Sequence, residues 1–130
     1  MSKLEGIDTV YVSGPMTGLP EFNYPAFNAA AAQLRAAGYR VENPAENETP
    51  PCGTWQGFMR LSLAQIARCD ALYVLDAWER SRGAWLEITI ARELELLIDF
   101  DRTLLLPDHE TTSARHPLRE GAQRWKPELD

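Results

Sequence analysis

One carboxylate in this chain stands where a carboxylate is hard to explain by packing. From Glu87, steps of three and four along "AWLEITIARELELLIDF" give Ile90, Ala91 and Leu94, with Leu97 and Ile98 beyond. The face is apolar except for Glu87, and Gly83 lies one turn behind it. A carboxylate so placed is directed toward the protein and needs partners there, and its pKa is open to tuning. The alternative is a first-turn glutamate favoured by the helix dipole. Ser81 lies just ahead, between Arg80 and Arg82. It suits an N-cap, and a hydroxyl, a glycine and arginines at a helix start also suit an anion.

Three further positions complete the candidate set. Tyr11 sits inside an apolar run and is followed by the loop Ser13-Gly14-Pro15-Met16, closed by Gly18. Ser62 interrupts an apolar stripe formed by Trp55, Phe58, Met59 and Ile66, and a hydroxyl there can simply bond the helix backbone. Asp76 ends a strand, where an aspartate serves a turn or chemistry. His109 and His116 have no ligand spacing, and no Walker, G-x-G-x-x-G or G-x-S-x-G pattern occurs.

The elements that must position these residues follow from pattern and punctuation. "DTVYVSG" (8–14), "YRVEN" (39–43), "DALYVLD" (70–76) and "RTLLLP" (102–107) are expected strands. Helices are expected over 24–38, 54–69 and 84–100, the first opened by Pro25 and closed by Gly38. The loop 44–53 carries the prolines between. Strands apolar on both faces, alternating with helices, predict a three-layer α/β domain with a parallel, flavodoxin-like sheet of about five strands. Ligands in such sheets bind beyond the carboxyl ends of the strands, where the 13–18, 44–51 and 76–83 loops fall.

Composition narrows the partners. At 130 residues a single domain, 1–130, is expected. The formal charge of −6, from 13 basic and 19 acidic residues, argues against a nucleic acid polymer but not against a small phosphorylated ligand. The two cysteines, Cys52 and Cys69, have neither metal nor redox spacing. With no apolar run of membrane length and no leader pattern, a cytoplasmic protein with no membrane partner is expected.

In the order "VYVSGPMTG", "NPAE", "MR", "CDALYVL" and "WERSRGAWLE", residues 10–87 resemble the nucleoside 2-deoxyribosyltransferase superfamily, in particular its small bacterial and phage domains. The resemblance implies a glutamate nucleophile at Glu87 that attacks the anomeric carbon of a 2-deoxyribose. It implies that Tyr11 holds that carboxylate and that Ser81, with Arg80 or Arg82, meets a 5′-phosphate. Ser13, Gly14, Pro15, Met16, Ser62, Asp76 and Gly83 would complete the substrate pocket. The implied activity is cleavage or transfer at the N-glycosidic bond of a 2′-deoxynucleoside or its 5′-monophosphate. It needs no metal or redox cofactor, and the implied assembly is a homodimer or higher. Relatives carry an aspartate where this chain has Ser62, so a non-catalytic nucleotide-binding protein of the same fold is the alternative.

Overall fold

A computed structural model describes residues 3–106. The two histidines and the C-terminal part of the expected domain lie outside the described residues. Strand β1 (Thr9–Ser13) leads through a loop to helix α1 (Tyr24–Ala36) and strand β2 (Arg40–Glu42). Helix α2 (Trp55–Ile66), strand β3 (Ala71–Val74), helix α3 (Arg82–Glu93) and strand β4 (Leu97–Asp99) follow. The four strands pair in the order β2-β1-β3-β4, all parallel.

The architecture is the expected three-layer α/β domain, with four strands among the described residues and not five. Val10 and Val12 enter a core with Phe27, Ala30 and Leu34 of α1. Tyr11, Leu72, Val74 and Ile98 enter a second core with Ile66 of α2 and with Ile88 and Ala91 of α3. Alternation along each strand thus divides the molecule into two apolar layers. The chain leaves β1 toward β2, then returns across it to β3, so the carboxyl ends of β1 and β3 form the topological switch point.

Two expected elements are corrected. The helix expected to Phe100 ends at Glu93, and the last strand lies at Leu97–Asp99 instead of 102–107. Glu95 adopts a left-handed φ of 62°, and the Leu96 N–H returns to the Ala91 carbonyl at 2.9 Å. That is a Schellman closure built on a glutamate. Arg102 is also left-handed, and Thr103–Leu105 forms a short 3-10 turn that delivers Leu104 to the core. The α2 stripe is corrected as well: Phe58 is 40% exposed, and the inward positions are Gly57, Met59, Ser62, Gln65 and Ile66. Leu94, expected on the inner face of the third helix, is exposed. No described helix is long and apolar enough to cross a membrane.

Candidate active site

Tyr11 and Ser13 are two residues apart on β1, so both face α2 and α3. Glu87 reaches down from the middle of α3 to meet them. The Tyr11 hydroxyl donates to Oε2 of Glu87 at 2.9 Å, and the Ser13 hydroxyl donates to Oε1 at 2.7 Å. One strand therefore supplies a donor for each oxygen of one carboxylate. Glu87 is 7% exposed and Tyr11 and Ser13 are fully buried.

Burial dominates the electrostatics. It pushes the Glu87 carboxyl from its ordinary 4.5 up to about 7, while the hydroxyls of Ser13, Tyr11 and Ser62 pull the other way. Burial, and then the charge of Glu87, raise the Tyr11 phenol well above its ordinary range. Tyr11 thus remains a donor across the neutral range. Ser62, buried on α2, adds its hydroxyl to the environment of both groups. The Glu87 carboxyl is poised to change charge near neutrality, which suits a nucleophile or a general acid–base group.

Residues of α2 and of the start of α3 meet around Gly83. Ser81 caps α3, its hydroxyl accepting from the Ala84 N–H at 3.0 Å. Gly83 lies four residues before Glu87, on the same helix face. A Cβ placed there would meet Met59 Sδ at 3.4 Å, Ser81 Oγ at 3.9 Å and Trp55 Nε1 at 3.9 Å. Those are ordinary contacts, so packing alone does not require glycine at 83. The Arg82 guanidinium lies 3.8 Å from the centre of the Trp55 ring. Arg80 ends the short Trp78–Arg80 turn and is exposed.

The other candidates are placed differently. A Cβ on Gly14 would come within 2.8 Å of Leu75 Cβ, so this glycine lets the loop cross closely over the end of β3. The buried Pro15 accepts from the Asn23 side chain through its carbonyl at 2.9 Å. Met16 packs on the α1-side core, across the sheet from Glu87. The Asp76 side chain is 99% exposed and pairs with Arg102 at 3.1 Å, away from the Tyr11–Glu87 cluster. Among the described residues, no group of three or more His, Cys, Asp or Glu side chains could hold a metal.

Sequence reasoning placed Ser13 against a substrate, whereas its hydroxyl is spent on Glu87. The signal was present: a donor two residues from Tyr11 shares its face of the strand. Trp55 was assigned to an apolar stripe, and its polar edge toward Gly83 had no sequence signal.

A family model described as a domain of unknown function (DUF4406) matches residues 8–100, from the residue before β1 to the residue after β4. No curated protein matches the chain.

Proposed function

The chain belongs to the DUF4406 family, and from the geometry of its site we propose that it cleaves or transfers the N-glycosidic bond of a 2′-deoxynucleoside or its 5′-monophosphate. The observation that carries this reading is the buried Glu87 carboxylate, gripped at both oxygens by Tyr11 and Ser13. The resemblance of residues 10–87 to the nucleoside 2-deoxyribosyltransferases supports it. An ionised Glu87 oxygen attacks C1′ and forms a carbon–oxygen bond. The glycosidic carbon–nitrogen bond breaks, and its electron pair leaves with the base, which takes up a proton. Water or a second base then attacks C1′, loses a proton and returns the carbon–oxygen pair to Glu87. Tyr11 and Ser13 hold the carboxylate in line and stabilise its charge each time it is released.

The reading includes a cytoplasmic homodimer or higher homo-oligomer, for which exposed Phe58 and Leu61 on α2 offer apolar surface. A screen of deoxynucleosides and their 5′-monophosphates for released base tests the chemistry, with Glu87→Ala as control. Base release by the parent and none by the folded variant is expected. No release from any substrate, or equal release by the variant, overturns the reading.

One observation favours a second reading, a nucleotide-binding protein without turnover. Ser62 places a neutral hydroxyl beside Glu87 where the related transferases carry an aspartate. A ligand-induced rise in Tm without base release, unchanged in rate by Ser62→Asp, decides for that reading.

A further inference from the structure

Glu87 is 7% exposed, and both its oxygens are taken by hydroxyls of β1. A carbon that is to be attacked must come within bonding reach of one of those oxygens, so part of the surroundings has to move. The sheet side is fixed: Tyr11 and Ser13 belong to β1, an inner strand paired with β2 on one side and β3 on the other. The helix side is different. Helices α2 and α3 each lead from the carboxyl end of one parallel strand to the start of the next, so they run in the same direction. Trp55, Met59 and Ser62 share one face of α2, and Gly83 and Glu87 share one face of α3. Ser62 lies beside Glu87, while a Cβ at Gly83 would sit 3.4 Å from Met59 Sδ and 3.9 Å from Trp55 Nε1. Trp55 and Met59 thus close the end of the seam nearest the carboxyl edge of the sheet. Arg82 completes the closure, its guanidinium 3.8 Å from the centre of the Trp55 ring.

We infer that Trp55, Met59 and Arg82 form a side-chain gate over Glu87, latched by the Trp55–Arg82 stack, and that the carboxylate is reached only when Arg82 leaves the ring and Trp55 and Met59 swing aside. This inference rests on Glu87 being the reactive group of the glycosidic reading, and it adds control of access to that site. The three side chains are suited to moving. Arg82 is exposed and Trp55 is half-buried, and an unbranched methionine repacks readily through its three rotatable bonds. A guanidinium stacked on a ring at the surface is held weakly enough to break thermally, so the closed form prevails and still opens unaided. The gate also gives a reason for glycine at 83, which packing alone does not require. A side chain there would occupy the path that Met59 clears when it swings.

Labelling of the full chain by dicyclohexylcarbodiimide, which reacts with protonated carboxyls and leaves a stable N-acylurea, reads the gate without turnover. The reaction is run near pH 6 (below the Glu87 value of about 7), so that this carboxyl is already mostly protonated. Loss of a charge at position 82 therefore cannot by itself raise the rate severalfold. Peptide mass spectrometry follows Glu87 and, as the internal reference, Asp99, a buried carboxyl outside the gate. Arg82→Gln should speed Glu87 labelling about two- to fivefold, the scale of one exposed cation–π contact, with Asp99 unchanged. Met59→Ala should speed it at least as much. In a Trp55→Ala background, Arg82→Gln should add nothing, because the latch needs both partners. A Glu87 rate unchanged by Arg82→Gln or by Met59→Ala, a rise matched at Asp99, or a full Arg82 effect without Trp55 overturns the gate. Base release by the parent is scored separately. Gated labelling without base release keeps the gate and removes the glycosidic chemistry, and base release with ungated labelling does the reverse.

Discussion

Glu87 and Asp99 are both carboxylates sealed inside the protein, on opposite faces of the same sheet, and they are held by different means. Asp99 ends β4 on the α1 side, with no exposed surface. Its Oδ1 accepts from the N–H groups of Asp101 at 2.9 Å and Thr103 at 3.1 Å, and Oδ2 from that of Leu104 at 2.9 Å. Burial raises its pKa, and these main-chain donors oppose the rise. Main-chain N–H groups cannot turn away or change their protonation. They make Asp99 a fastener for the 100–105 turn. Glu87 is held by side-chain hydroxyls, which can rotate and can accept as well as donate. The same cost of burial therefore stabilises a turn in one place and leaves a carboxylate of adjustable charge in the other.

The largest expected effect separates the two by chemistry. Glu87→Gln should reduce base release by a thousandfold or more, about 4 kcal/mol of barrier, in a protein that still folds. Asp99→Ala should retain release per folded molecule at temperatures below its melting transition. Rates measured at a fixed folded fraction check this, and a Glu87→Gln variant with parental rate breaks the comparison.

Stability should sort them in the opposite direction. Asp99→Ala leaves three N–H groups without an acceptor and should cost about 3 kcal/mol in denaturant unfolding. For Glu87 the sign reverses. Its folded pKa of about 7 lies above the ordinary 4.5, so between these values the folded state holds more proton than the unfolded chain. The contribution is complete below about pH 4.5 and is lost as pH rises through 7, by on the order of 3 kcal/mol. Glu87→Gln should remove that slope and be more stable than the parent at pH 8. A parent stability independent of this residue between pH 5 and 8 would contradict the shift.

A smaller effect tests the hydroxyl grip. Tyr11 lowers the Glu87 pKa by donating to the charged form. Tyr11→Phe should therefore move the rising limb of kcat/KM, expected near pH 7 in the parent, to higher pH. The rate at neutrality should fall about tenfold, one pKa unit's worth. A limb that stays in place would show that Ser13 and Ser62 suffice.

The smallest effect contrasts two glycines. Gly83→Ala meets only ordinary contacts and should stabilise the unliganded protein by about 0.5 kcal/mol, while weakening any ligand that fills the space above Glu87. Gly14→Ala should destabilise, since its Cβ would press to 2.8 Å from Leu75 Cβ. Thermal melts with and without deoxynucleoside monophosphate read both.

Much of the layer plan was legible because it rests on local rules. Alternation in "TVYVS" sends Val10 and Val12 one way and Tyr11 and Ser13 the other. Ser81 announces a helix start and accepts the expected capping bond, and Thr54 caps α2 in the same way. Gly38, with φ of 106°, ends α1 with a Schellman bond from Tyr39 to Leu34. The end of α3 uses the same geometry with Glu95 in place of glycine, and that hid both the helix stop and β4. A left-handed glutamate is tolerated where the following strand is pulled into the sheet, and that pull comes from residues distant in sequence.

The sequence by itself determined a lone carboxylate on an apolar helix face and a tyrosine on a buried strand. The resemblance implied that they meet, 76 residues apart, and only the tertiary structure decided that Ser13 takes the second oxygen. It also decided that Asp76 turns outward to Arg102, that Met16 crosses to the other core, and that the Trp55 edge faces Gly83. The physical reason is one of range. Alternation, capping and turn chemistry act over a few residues and are written in them. Which buried polar groups satisfy one another depends on sheet order and helix placement, where the whole chain must be packed at once.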